Sequence, residues 1–327
     1  MVKKTCLVTG CAGFVGSHLT DALLRAGHNV VGVDNFFTGY EHNLAGFRNN
    51  PGFEFHKASI TDKGLLEQLK GKHPDLDVIF QLAAIVSVPY SVEHPQLTME
   101  VNYEASERML SSAQRLGIST FVFAGSAAEY GDESRLPVLE EYADQATQLS
   151  PYGVAKFKSS ALIRNSGFGC SLRFFNIFGP RQDPTSQYSG VISKFVDLGM
   201  ACKKMVVYGD GKQTRDFIYV DDVVTSYLIA AGLDANGRGP LKGIFNVGTG
   251  KCTSVLELAE TVADLTCAPK EIEFRPERAG DIKHSYADVS KISRSGFKAE
   301  VTFEGGLSRT LSWAAENKTW KCLCVIN

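Results

Sequence analysis

The chain has 327 residues, 44% of them hydrophobic, and a formal net charge of -2 from 34 Lys and Arg against 36 Asp and Glu. That content supports a substantial core in two lobes, while the balanced charge supplies no basic field for nucleic acid or an anionic membrane surface. There is no apolar run of about 20 residues, and a strand-like run begins at Cys6 without the long apolar region of a signal peptide, so no membrane anchor and a cytoplasmic location are expected.

Cys6-Leu7-Val8-Thr9 reads as a buried strand, followed by Gly10-Cys11-Ala12-Gly13-Phe14-Val15-Gly16 and a helical pattern from Ser17 to Ala26. Glycines permit a tight turn and close backbone approach, and the free N–H groups at the helix start suit a pyrophosphate. A plain glycine-rich turn shares the pattern, so this segment does not decide alone. About twenty residues on, Val30-Val31-Gly32-Val33 ends in Asp34-Asn35. A carboxylate there can accept bonds from ribose hydroxyls and repels a 2′-phosphate, which favours NAD over NADP.

Ser59-Ile60 and the run Val78 to Leu82-Ala83-Ala84 continue an alternation of buried strands and helices, one helix carrying Asn102. Phe121 to Gly125 is the next strand, and its end delivers Ser126. In Ser150-Pro151-Tyr152-Gly153-Val154-Ala155-Lys156, residues 152 and 156 share one helix face. The ammonium is expected to lower the pKa of the phenol, making Tyr152 a general base. A buried Tyr and a solvated Lys spaced by four are common, so the pairing counts only in context. The eight cysteines form no CxxC and no Cys/His cluster of zinc spacing, so no metal site is expected. Cys324-Val325-Ile326-Asn327 matches a prenylation template by count only, since Asn is not a usual last residue.

With these residues in order, the chain resembles the extended short-chain dehydrogenase/reductases, specifically the nucleotide-sugar epimerases. Further matching segments are Arg173-Phe174-Phe175-Asn176, Phe178-Gly179-Pro180-Arg181-Gln182-Asp183-Pro184, Tyr208-Gly209-Asp210-Gly211, Arg215-Asp216-Phe217 and Gly280-Asp281. The resemblance implies an α/β fold: a Rossmann-type doubly wound parallel sheet over residues 1–175, to which the chain returns at about 215–240, and a smaller C-terminal α/β substrate lobe over 176–327. It implies bound NAD and an NAD-dependent 4-epimerisation of a UDP-hexose through a 4-keto intermediate, with Ser126, Tyr152 and Lys156 catalytic. The NAD contacts implied are Gly10, Gly13, Phe14, Val15, Gly16, Asp34, Asn35, Thr38, Gly39, Ser59, Ile60, Leu82, Ala83, Ala84, Asn102, Tyr152, Lys156 and Phe175. The UDP-sugar would meet Ser87, Ser126, Asn176, Tyr208, Arg215, Arg278, Asp281 and Ser285. A homodimer is implied through a four-helix bundle built from residues 95–116 and 151–165.

Departures from the pattern narrow the chemistry. Related dehydratases and decarboxylases carry an acid just after the Ser126 position, where this chain has Ala127-Ala128. Methyl groups cannot protonate a leaving group, and Glu129 is one place off register. Ser59 stands where many relatives have an Asp, and Val86 where some have Gly. Ser285, small where a Tyr would restrict the pocket, is expected to admit an N-acetyl group at C2. UDP-GlcNAc/UDP-GalNAc beside UDP-Glc/UDP-Gal is the leading reading. UDP-glucuronate 4-epimerisation, a decarboxylase or dehydratase using Glu129, and a dinucleotide-binding regulator are the alternatives.

Overall fold

The computed structural model describes residues 2–183, 190–234, 237, 239–277 and 282–317. Its centre is a seven-stranded sheet of β1 (Thr5–Thr9), β2 (Asn29–Asp34), β3 (Phe53–Lys57), β4 (Leu76–Gln81), β5 (Thr120–Ser126), β6 (Cys170–Phe174) and β7 (Gly243–Val247). The spatial order is 3-2-1-4-5-6-7 and every pairing is parallel. A parallel sheet is covered on both faces, which is why its central strands are apolar throughout rather than alternating. In β1, Cys6 and Val8 pack with Leu19 and Leu23 on one side, while Leu7 packs with Leu69 and Met109 on the other.

The first face is covered by α1 (Phe14–Arg25) and a later helix (Val220–Ala230), the second by α2 (Leu65–Lys72), α3 (Ala105–Arg115) and α4 (Pro151–Ser166). The helix at Val220–Ala230 and then β7 are the segments by which the chain comes back to the sheet. A separate apolar cluster joins Phe178, Phe195, Phe217, Leu258 and Leu307, drawn from helices Val191–Met200, Val255–Asp264 and Phe303–Glu316 and from two short strands. Among the described residues, no helix is long and apolar enough to cross a membrane.

Strand order reverses between β1 and β4, so their carboxyl ends diverge and leave a crevice. Thr9 fixes its floor: its Oγ1 accepts bonds from the Leu82 and Ala83 amides, both at 3.1 Å.

Candidate active site

A cleft of about 830 Å³ opens at that crevice, a size suited to an extended cofactor. The first turn requires its glycines for separate reasons. Gly10 has φ +73°, and a Cβ there would meet the Ala83 amide at 3.0 Å. A Cβ on Gly16 would lie 2.0 Å from the Gly10 carbonyl, so α1 could not pack so close to β1. At the end of β2, Asp34 is buried and accepts from the amides of Ala12 (2.9 Å) and Phe36 (2.7 Å). Burial raises its pKa and those amide bonds oppose the rise.

Gly10, Gly13, Phe14, Val15, Gly16, Asp34, Asn35, Thr38, Ser59, Ile60, Leu82, Ala83, Ala84 and Phe175 all line this cleft, together with Ser126, Tyr152 and Lys156. Gly39 stands behind the wall, where a Cβ would meet Ala12 and the Asp34 carboxylate. Asn102 faces the loop instead of the cleft. Its Oδ1 accepts from the Ile85 amide and its Nδ2 donates to the Ile85 carbonyl, both at 2.8 Å, so the whole amide is used in holding the 82–86 wall. A single π-helical turn at Glu100–Glu104 interrupts the helix there, and such turns recur where a side chain must be re-aimed.

Tyr152 and Lys156 lie in the first two turns of α4. Ser150 caps the helix by accepting from the Gly153 amide at 3.1 Å, and Pro151 occupies the first helical position. Both side chains are buried, as the shared face requires. The Lys156 Nζ donates to the Ala124 carbonyl at 2.7 Å, and lies 4.6 Å from the Phe123 ring centre and 6.0 Å from that of Tyr152. Lys156 is expected to draw the phenol down, but burial is the larger influence on both groups. Burial pushes Tyr152 up to about 12, with a hydrogen bond from Ser126 working the other way and the Glu129 charge adding to the rise. Burial likewise brings Lys156 down to about 8. Burial disfavours the charged form of each group.

Ser126 starts a tight turn (Ala127–Tyr130), accepting from the Ala128 amide at 3.1 Å while its own amide donates to Glu129 at 2.9 Å. Glu129 is fully buried and turned away from the cleft. Its Oε2 takes the Arg173 Nε at 2.6 Å, and its Oε1 accepts from the Ser160 hydroxyl at 2.9 Å. Arg173 in turn donates to the Glu140 carbonyl at 2.7 Å and to the Tyr130 hydroxyl at 3.1 Å. With its oxygens committed to this network, Glu129 has no path to a ligand above Ala127-Ala128.

The substrate-side residues fall elsewhere. Ser87 caps the short helix Val88–Glu93 by accepting from the Tyr90 amide at 3.0 Å. Ser285 sits directly opposite Arg215 across a two-residue parallel pairing, and the Asn176 amide donates to the Asp216 carbonyl at 2.9 Å. Tyr208 pairs with Arg275. None of these five lines the cleft just described, and Arg278 and Asp281 are outside the described residues. Asp216, in the Arg215-Asp216-Phe217 segment, organises this region. Its buried carboxylate accepts from the amides of Thr249 (2.8 Å), Gly250 (3.0 Å) and Ala287 (3.2 Å).

The sequence profile of the NAD dependent epimerase/dehydratase family matches residues 6–248. A putative UDP-glucose 4-epimerase of Methanocaldococcus jannaschii is 36% identical over 95% of this chain and 98% of its own length. A UDP-N-acetyl-alpha-D-glucosaminuronate decarboxylase of Bacillus cytotoxicus is 33% identical over 96% and 99%. Among solved structures, the UDP-N-acetylglucosamine 4-epimerase of Methanobrevibacter ruminantium M1, in complex with UDP-N-acetylmuramic acid, superposes with a TM-score of 0.89, at 34% identity over 97% of this chain and 100% of that one.

Proposed function

Because the chain belongs to the NAD-dependent epimerase/dehydratase family and is an NAD-dependent UDP-sugar 4-epimerase, we propose that its substrates are UDP-GlcNAc and UDP-GalNAc together with UDP-Glc and UDP-Gal. The observation that carries the epimerase reading over its decarboxylating relatives is the commitment of Glu129 to Arg173, Ser160 and the Ser126 amide. Without a second acid beside the sugar, the chemistry ends at oxidation and re-reduction at C4.

When NAD is bound, Asp34 and the Gly10 to Gly16 turn would hold it, and it would supply the hydride acceptor and donor. Tyr152 takes the proton of the sugar 4-hydroxyl and returns it after the 4-keto sugar has turned over. Ser126 hydrogen-bonds the 4-oxygen and the phenol, and Lys156 steadies the site electrostatically from the Ala124 carbonyl. Arg215, with Arg278, is assigned to the diphosphate by donating paired charge-assisted bonds. Asn176, Asp281 and Tyr208 complete the nucleotide grip, and Ser285 stands at the C2 substituent. The pairing of Ser285 with Arg215 supports that placement, since it sets the gate beside the diphosphate anchor.

A dimer formed by residues 95–116 and 151–165 with the same pair of a second copy, and a cytoplasmic location, belong to this reading. The free state of the described cysteines suits a reducing compartment. The test is incubation with a panel of UDP-hexoses and UDP-glucuronate, read by NMR for 4-epimers. Ser285→Tyr should abolish turnover of the N-acetylated pair and spare UDP-Glc, because overfilling a closed pocket costs about 1–3 kcal/mol or more. Equal loss on both pairs rejects the gate, and turnover of UDP-glucuronate alone rejects the substrate assignment.

A further inference from the structure

On the far edge of the sheet, away from α4, lies a cluster that the epimerase chemistry does not use. β3 is the outermost strand, and Glu54 and His56, two apart, project from one of its faces. α2 runs back along the sheet and ends at His73, which brings a second imidazole to the same place. The Glu54 carboxylate bridges the two rings, its Oε1 lying 2.8 Å from His56 Nε2 and its Oε2 3.4 Å from His73 Nε2. All three donor groups fall within 4.8 Å of one another. Both Nε2 atoms are buried and make no well-directed hydrogen bond. The rings stand perpendicular with centres 6.2 Å apart, so the nitrogens converge instead of stacking.

We propose that Glu54, His56 and His73 bind a divalent first-row transition ion of the zinc class. Two imidazoles and a carboxylate are a common donor set for such ions, with water completing the shell. Bonds of about 2.0–2.2 Å place the donors of a tetrahedral site roughly 3.3–3.6 Å apart. The Glu54 oxygens lie 2.8 and 3.4 Å from the two Nε2 atoms, and the three donors lie within 4.8 Å of one another, so closing on an ion takes a small adjustment of the exposed Glu54 side chain (52%) and of the more buried imidazoles (18% and 19%). Two cations oppose a metal, Lys72 near His56 and Lys70 near Asp75, and the carboxylates of Glu54 and Asp75 balance them. The ion would fasten the edge strand to the end of α2, at both ends of the segment that carries Ser59 and Ile60 to the cleft. Its role is structural, and no reaction step passes through it.

The test uses the full chain, stripped with EDTA and titrated with ZnCl₂ by calorimetry. One saturable site is expected, with Tm rising by about 5 °C at a hundredfold excess over Kd. His56→Ala and His73→Ala should each weaken binding at least tenfold and remove the Tm rise, with an unchanged circular dichroism spectrum as evidence of folding. Co²⁺ substituted for Zn²⁺ should give a visible absorption band that disappears in both variants and weakens in Glu54→Gln. Absence of binding, or binding that survives either His substitution, overturns the proposal.

Discussion

Tyr152 is a base whose protein environment opposes its ionisation. Burial holds its phenol up at about 12 and Lys156 down at about 8, so desolvation opposes the charged form of each. Tyr152→Phe should lower turnover by about 10²–10⁴-fold with an unchanged circular dichroism spectrum, and retention of more than about a tenth of the activity would remove the assignment. Lys156→Met removes the only ammonium this close to the phenol among the described residues, so turnover should fall and the rise of rate with pH should move upwards. The same substitution should stabilise the fold. Lys156 has a folded-state value near 8 against 10.5 unfolded. Its burial cost is therefore full below about pH 8 and fades as pH rises towards 10.5, while the Met variant has no such dependence. Denaturant melts should show Lys156→Met more stable at pH 7 by about 1–3 kcal/mol, with the gap closing above pH 8. A gap independent of pH would mean that packing, not charge, is responsible.

Elements hold the cleft through residues that never face it. The π-helical turn at Glu100–Glu104 aims Asn102 at Ile85, and Thr9 ties the end of β1 to Leu82 and Ala83. Asn102→Ala leaves two buried backbone groups without partners, a loss of about 1–3 kcal/mol for each. It should also weaken NAD binding by roughly three- to tenfold while kcat at saturating NAD changes little. If titration by cofactor fluorescence gives an unchanged Kd while the melt shifts, Asn102 serves stability alone and does not position the wall. The Glu129–Arg173 pair belongs to the same class. Read from its spacing, Glu129 is one place off the register of the missing acid. Folded, it is the acceptor that fixes the Ser126 turn.

At the scale of the whole molecule, α3 and α4 lie side by side over one face of the sheet. Pairing with a second copy would complete a four-helix bundle. Sedimentation velocity at micromolar concentration should give a dimer, and a monomer there would reject the interface. Apolar side chains of Val92 and Leu97, exposed at 60% and 37% beside that face, give solvent-facing surface for such a contact.

What the sequence determined by itself was whatever depends on short-range order: strands closed by glycine turns, the Asp34 terminus, and the Tyr152/Lys156 spacing, which a helix of 3.6 residues per turn converts into one face. These elements gathered into one cleft because ligands of such sheets sit beyond the carboxyl ends of the strands, and each motif was recognised at such an end. Three things were decided only by tertiary structure. The direction of the Tyr152 shift depends on desolvation, which spacing does not encode. The fate of Glu129 depends on Arg173, 44 positions away along the chain. The convergence of Glu54, His56 and His73 exists because the β3–α2 connection folds back on the sheet edge, and no ligand spacing along the chain could announce it.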